Sequence, residues 1–283
     1  MPDPDSDNTQ PSGLGQTSGI VQTPDIARIS GPGAVAGAAP ADAPGAASGT
    51  AMARLLLEAG AIQFSRGRPF MLAAGWASPV YVDCRRLIGD PATSRAVIDA
   101  ALARLRRQFG PVLPFDAIAG GETAGIPWAA WLADRLDLPL RYVRKRPLGI
   151  GRNAQVEGGP VEGMRVLLVD DLATDAGSKT AFVRGLRTAG ATVTDGLVIF
   201  YHGVFPGAAE RLATLGLTLH ALATWEDILR PDAGHPGLDP ADRPEIERFL
   251  PDPAAWSAFH GGRGNPPELP LELTRPARNR PVG

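Results

Sequence analysis

Two adjacent carboxylates, Asp170 and Asp171, end the apolar run Val166-Leu167-Leu168-Val169 and lead into Leu172-Ala173-Thr174-Asp175-Ala176-Gly177-Ser178. From Lys179 to Ala189 the chain then reads as a helix. A buried strand ending in carboxylates, a loop of small and hydroxyl residues, and a helix start together make a holder for a sugar phosphate. Carboxylates accept hydrogen bonds from sugar hydroxyls, and loop N–H groups with a helix N-terminus attract phosphate. An acidic pair alone is as well explained by solvation of a strand end. The loop and helix that follow favour the chemical reading.

Other polar groups sit at equivalent points of the chain. Gly120-Gly121-Glu122-Thr123-Ala124-Gly125 follows the apolar run Phe115 to Ala119. Arg144-Lys145-Arg146 follows Leu140 to Val143, and Tyr201-His202 ends the run Leu197 to Tyr201. A glycine pair by itself is usually a turn, and a basic triplet by itself is usually a solvated charge run. In an open parallel sheet, however, ligands bind beyond the carboxyl ends of the strands. These groups then converge on one crevice, which suits a sugar carrying phosphates at both ends together with a divalent metal. The stretch Gly149-Ile150-Gly151-Arg152-Asn153 reads as a mobile loop over that crevice. His202 and His220 read as ordinary surface or core histidines. Cys84, beside Asp83 on a strand-like segment, reads as buried rather than reactive.

The elements that must position these groups are legible from periodicity. Met52, Leu55, Leu56 and Ala59 repeat at helical spacing, as do Ile98, Ala101, Leu102 and Leu105, and Ala129, Leu132, Ala133 and Leu136. Short apolar runs alternate with them, and Leu217 to Leu222 adds one more. Such alternation predicts an α/β fold, a mainly parallel sheet flanked by helices. Phe70 to Val82 predicts a hairpin or strand pair ahead of the sheet.

Composition bounds the rest. In 283 residues, 44% are hydrophobic, enough for a core, and the net charge of −2 gives no global attraction to nucleic acid or membrane. The five tryptophans show no stacking pattern for nucleic acid. One cysteine allows no internal disulfide and fits a reducing compartment. No apolar run nears the roughly 20 residues of a membrane span. The acidic start, Met1-Pro2-Asp3-Pro4-Asp5, argues against a targeting peptide, so a cytoplasmic location is expected. Residues 1–50 and 261–283 are poor in bulky apolar residues and read as disordered tails, the second rich in Pro and Arg. Residues 51–260 remain as one folded domain.

The run VLLVDDLATDAGSK resembles the phosphoribosyl pyrophosphate (PRPP) signature of type I phosphoribosyltransferases. PFMLAAGWASPVYVDCRRLI resembles the hood of orotate phosphoribosyltransferases, IAGGETAGIPWAAWLADRL their pyrophosphate turn, and YVRKRPLGIGRNAQVEG their flexible loop. The resemblance implies a type I phosphoribosyltransferase-like parallel sheet with a small N-terminal hood, mainly 51–90. It implies transfer of ribose 5-phosphate from PRPP to orotate, giving orotidine 5′-monophosphate and pyrophosphate, with Mg²⁺ held mainly through PRPP and no protein ligand assigned to the metal. Asp170 and Asp171 are then expected to face the ribose hydroxyls, and Arg144 and Lys145 to act with them in catalysis. Leu172, Ala173, Thr174, Asp175, Ala176, Gly177 and Ser178 are expected to line PRPP, with Thr174 also near orotate. Glu122 and Thr123 are expected beside the pyrophosphate, and Arg152 to neutralise it. A homodimer with shared sites is also implied.

The chain departs from that pattern. Leu148 and Ile150 stand where the family's loop usually carries a lysine and a histidine, and Ala73 where a hood lysine is common. Tyr201-His202-Gly203 replaces an arginine that some members place after the fourth strand. Two alternatives therefore accompany the orotate reading: a phosphoribosyltransferase for another base, and a catalytically weak PRPP-binding regulator.

Overall fold

The central strand β8 (Val166–Ala173) explains the layering. Successive side chains of a strand point to opposite faces. Val166 and Leu168 share one buried cluster with Phe182, Val183 and Leu186 of α4 (Gly177–Thr188). Leu167 and Val169 share another with Trp128 and Leu132 of α3 (Gly125–Leu136). Both faces are covered, so the strand is apolar without alternation, as a parallel strand between two helix layers must be.

The computed structural model describes residues 46–147, 155–230, 238–266 and 268. The elements preceding the sheet are α1 (Ala46–Glu58), the short strands β1 (Ile62–Phe64), β2 (Phe70–Met71), β3 (Ala77–Ser78) and β4 (Val80–Val82), a 3₁₀ turn Cys84–Gly89, and α2 (Pro91–Phe109). The sheet is built from β5 (Ala117–Gly121), β6 (Leu140–Val143), β7 (Val156–Glu157), β8, β9 (Asp195–Tyr201) and β10 (Thr218–Thr224). Its order is β10-β9-β8-β5-β6-β7, with every pairing parallel except β6–β7. Helix α5 (Ala208–Leu215) joins β9 to β10, and α6 (Trp225–Leu229), α7 (Arg243–Phe249) and α8 (Pro253–Phe259) follow. The predicted α/β sheet is therefore present, and the predicted pair in Phe70 to Val82 is two antiparallel pairs, β2–β3 and β1–β4. Among the described residues, no helix is long and apolar enough to cross a membrane.

Element ends follow local chemistry. Asp90 opens α2 by accepting the Thr93 N–H at 2.8 Å, and Pro91 occupies the first helical turn where no N–H is needed. The apolar periodicity of α2 begins later, which is why its spacing predicted only the middle of the helix.

Two boundaries differ from expectation. Residues 46–50, assigned to a disordered tail, are the first turns of α1. Gly262 and Arg263, assigned to the other tail, are packed: the Arg263 N–H donates to the Gly75 carbonyl at 2.9 Å, and a Cβ on Gly262 would lie 2.3 Å from Ala77 N. The buried Ser257 hydroxyl of α8 accepts the Ala77 N–H at 2.9 Å, so the C-terminal helices hold the hood strands. Composition could not show this, because one backbone bond and one close approach tie the segment to the hood, and it has no apolar pattern. Residues 1–45 and 269–283 lie outside the described residues, as do Leu148, Ile150 and Arg152.

His202 is buried among Phe200, Phe205 and Trp225, and its Nδ1 accepts the Trp225 Nε1–H at 3.1 Å. His220 is likewise buried, with Nε2 2.8 Å from Asp195. Both are core residues. Burial pushes the His202 imidazole down from 6.5 to about 3. The unfolded chain therefore binds a proton that the folded chain refuses across that window. The stability involved is fully present above 6.5 and lost as pH falls towards 3. From pH 7 to pH 5 the loss from this group should be about 2 kcal/mol. Urea unfolding at the two pH values should show it, and the difference should shrink in His202→Gln. An unchanged difference in that variant would assign the pH effect elsewhere.

Candidate functional site

Register brings the candidate groups to one edge. Gly120 pairs with Val169 and Gly121 with Val143, so β5 and β6 end side by side, in Glu122 and Arg144, next to Asp170–Asp171 within β8. The turn after β5 closes directly on β8. A Cβ on Gly125 would sit 2.4 Å from the Val169 carbonyl and 2.9 Å from the Asp170 Cα, so only glycine permits this approach. Gly121 is similarly pressed against the Phe182 ring of α4, 2.6 Å from where a Cβ would be. The Glu122–Thr123 peptide within this turn is cis, and Thr123 is exposed.

The two carboxylates differ. Continuing the alternation of β8, Asp170 points to the α4 layer, where Lys179 meets it: Nζ donates to Asp170 Oδ2 at 2.6 Å. The same ammonium donates to the Leu172 carbonyl and, at 3.3 Å, to the Ser178 hydroxyl. Asp170 Oδ1 accepts the Asp171 N–H at 3.0 Å. Asp170 is 6% exposed and Lys179 2%. Asp170, expected to face the ribose, thus faces inward with both oxygens engaged, because a charge at this depth requires a partner. Asp171 is half-buried and near the Cys84–Gly89 turn. Burial first, and Asp170 second, raise its carboxyl to about 7, while Lys179 and Arg85 pull the other way. Cys84 is buried, and its thiol is pushed up by burial and by Asp171, as its reading as an unreactive thiol requires.

Leu172 and Ala173, expected in a loop, extend the strand and pair with Phe200 and Tyr201. The neighbouring strand β9 reaches as far as β8, and the ladder claims these residues. The loop proper is Thr174 to Ala176. Ala176 sits at φ 61°, ψ 12°, in the left-handed region, and turns the chain into α4 without a capping side chain of its own. Asp175 Oδ1 accepts the Gly177 N–H at 3.1 Å, while Arg211 donates to the Asp175 carbonyl at 2.7 Å and lies 3.7 Å from its carboxylate. Asp175 is therefore a brace for the loop. Thr174, Gly177 and Ser178 remain part-exposed at the start of α4, where N–H groups and the helix dipole favour an anion.

Arg144 is shared. Its Nη1 lies 3.7 Å from Glu122, its Nε donates to Glu157 at 3.4 Å, and its Nη2 donates to the Tyr142 hydroxyl at 3.0 Å. Glu122 also accepts the Lys145 N–H at 3.0 Å, leaving the Lys145 side chain exposed. Gln155 ties this limb to α4, donating to the carbonyls of Arg144 at 2.9 Å and Ala181 at 3.3 Å. The structure thus joins Glu122, Arg144 and Lys145 in one bonded group and Asp170 and Asp171 in another, with Gly125 closing the gap between them.

Lys179 was missed by motif reasoning, although a signal existed. Positions 179, 182, 183 and 186 form one stripe of α4, and the other three are Phe, Val and Leu. A lysine in an apolar stripe needs a buried partner.

Residues 90–211 match the phosphoribosyl transferase domain family. The chain is 46% identical over 211 residues to an orotate phosphoribosyltransferase of Rhizobium rhizogenes, covering 75% of this chain and 90% of that relative. It is 50% identical over 204 residues to one from Cereibacter sphaeroides, covering 72% and 88%. The chain belongs to the orotate phosphoribosyltransferase family. Among solved structures of that family, the orotate phosphoribosyltransferase from Aeropyrum pernix superposes with a TM-score of 0.53 at 39% identity, covering 63% of this chain and 96% of that one. UMP synthase from Leishmania donovani gives a TM-score of 0.61 at 28% identity, over 72% of this chain and 42% of that longer one.

The close approach at Gly125 yields a test of how the site is assembled. Gly125→Ala should force β5 and β8 apart at their carboxyl ends, cost about 1–3 kcal/mol in thermal unfolding, and lower turnover. A variant with unaltered melting and turnover would show that the turn has room to spare.

Proposed function

We infer that this chain transfers ribose 5-phosphate from PRPP to N1 of orotate, giving orotidine 5′-monophosphate and pyrophosphate in pyrimidine synthesis. The observation carrying this is the meeting of the acidic pair, the Gly125 turn and the Arg144 limb at one sheet edge, in a chain about half identical to named members of the family. That identity favours orotate over another base.

The chemistry assigned to the residues follows charge. As the bond between C1′ of the ribose and pyrophosphate breaks, positive charge develops on the sugar ring and negative charge on the leaving group. Asp171, part-exposed at the strand end, supports the first and receives the ribose hydroxyls. Thr174, Gly177 and Ser178 hold the 5′-phosphate at the start of α4, and Thr174 borders the base. Arg144, Lys145 and Arg152 oppose the charge of the pyrophosphate beside Glu122 and Thr123. Little covalent work falls to the protein, so positioning dominates.

Mg²⁺ belongs to this reading as an ion arriving on PRPP, coordinated by the substrate's own oxygens. The hard oxygen charge of Asp171 and Glu122 suits a hydrated cation nearby, and no protein ligand is assigned. When bound, the ion neutralises pyrophosphate charge. The homodimer with shared sites and the cytoplasmic location belong to the same proposal. The first rests on the family resemblance of the loop and the second on a single buried cysteine.

A spectrophotometric assay with orotate, PRPP and Mg²⁺ should show orotate consumption matched by pyrophosphate release. PRPP binding without release, for orotate or any other base, would instead support a regulator. Asp171→Asn should lower turnover about a hundredfold, on the scale of losing one charge-stabilising group. Normal kinetics would remove Asp171 from the site. Leu148→Lys should raise turnover if the loop lacks a cation, and no change would mean that Arg146 and Arg152 already serve.

A further inference from the structure

Both backbone groups of Arg144 are held by a single residue. The Arg144 N–H donates to the Gln155 carbonyl at 2.8 Å, and Gln155 Nε2 donates to the Arg144 carbonyl at 2.9 Å. An amide nitrogen carries two donors. Gln155 Nε2 uses the second on the Ala181 carbonyl of α4, at 3.3 Å. Beyond Arg144, the Lys145 N–H donates to Glu122 at 3.0 Å. The peptide joining Arg144 to Lys145 is therefore fixed at its oxygen by Gln155 and at its nitrogen by Glu122. The Arg144 guanidinium is shared among Glu122, Glu157 and Tyr142, whereas the Lys145 side chain leaves this peptide exposed.

Helix α4 is shaped to receive the Gln155 amide. Gly185 is buried in the helix interior, where glycine costs about 1 kcal/mol relative to alanine. A Cβ there would lie 2.6–2.9 Å from Cδ, Nε2 and Oε1 of Gln155. The missing side chain leaves a notch, and the amide fills it. Apolar packing also joins these elements, with Val143 and Val156 in one cluster with Val183 and Leu186. Such packing is non-directional and leaves strand and helix free to slide. Two hydrogen bonds from one seated amide do not.

We propose that Gln155, seated at Gly185, is a positioning residue that fixes the span between Lys145 and the start of α4, so that one PRPP is gripped at both phosphate ends together. This rests on the function proposed above, in which Lys145 meets the pyrophosphate while Thr174, Gly177 and Ser178 meet the 5′-phosphate. Ala181 stands about one helical turn from Gly177, so an anchor at Ala181 also anchors the phosphate-binding end. PRPP holds its two phosphate groups apart by the width of a ribose. When two grips match that separation, the second end binds as an intramolecular event at high effective concentration. When the grips drift, that gain is lost although neither contact is. Gln155 acts in this way without touching substrate.

The span sets ligands with one phosphate end apart from the ligand with two. Gln155→Met keeps the length of the side chain and removes both donors. With Mg²⁺ present throughout, calorimetry should show PRPP affinity lowered about tenfold, and inorganic pyrophosphate and ribose 5-phosphate, each alone, changed less than about twofold. Gly185→Ala fills the notch from the other side. Its Cβ meets only the end of a flexible side chain, so α4 should stay folded and the same split between ligands should appear. The double variant should bind PRPP no worse than either single one, because both remove the same contact. In the unliganded protein, amide exchange at Arg144 and Lys145 should quicken in both single variants.

An equal loss for all three ligands would overturn the proposal and make Gln155 a general packing residue. Unchanged PRPP affinity in Gly185→Ala would overturn it as well, and that variant decides the matter even if Gln155→Met does not fold. Failure of the wild type to bind PRPP would instead sink the proposed function. The exchange rates at Arg144 and Lys145 would still report whether Gln155 holds the limb to α4.

Discussion

A negative charge held below the surface within a parallel strand is the constraint around which this molecule is organised. Removing a carboxylate from water costs several kcal/mol unless a cation and further hydrogen bonds replace the solvent. Asp170 receives both, from Lys179 and from the N–H of the next residue. The requirement propagates outward. Helix α4 must start where its third residue can reach back to β8, so the chain must reverse within Thr174 to Ala176, and Ala176 takes a left-handed conformation to do it. The turn after β5 must then lie flat on Asp170, which excludes a side chain at Gly125.

The basic limb after β6 is looser. Arg144 is divided among Glu122, Glu157 and Tyr142 at distances from 3.0 to 3.7 Å, and its neighbours Lys145 and Arg146 are exposed. Part-exposed pairs of this kind contribute little to stability. A guanidinium held this way reorients at small cost, while the buried Asp170–Lys179 pair stays fixed. A rigid acidic wall and an adjustable basic wall suit a reaction in which the sugar must be oriented and the leaving group followed as it departs.

The hood depends on the far end of the chain. Its strands are too short to stand alone, and a two-stranded ribbon is marginal in water. Helix α8 and the residues after it supply the missing partners at Gly75 and Ala77. An aromatic series from Trp76 through Phe205 and Phe249 to Trp256 carries the same contact into the core. The 3₁₀ turn that faces Asp171 follows these strands directly, so the C-terminal helices help set the position of Arg85 and Cys84 beside the acidic pair.

Local sequence was enough to determine the alternation of strands and helices, the glycine turn, the basic limb and the acidic pair with the small-residue loop after it. Each is written in a contiguous run whose period or composition reports its own backbone conformation. The burial of Cys84 was also legible, while His202 and His220 read only as ordinary surface or core histidines and packing decided that both are buried. What only the folded chain decided was the division of labour within those runs. Asp170 and Asp171 are the same residue type in adjacent positions, and strand alternation sends one to Lys179 and the other towards the hood. Asp175 became a brace because Arg211, 36 residues on, reaches it. Leu172 and Ala173 joined the sheet because β9 runs alongside them. Gly262 and Arg263 were ordered by backbone atoms of the hood. Partners of this kind are distant along the chain and leave no periodic trace. A charge records in sequence that it needs a counter-charge, but only packing selects which one it meets.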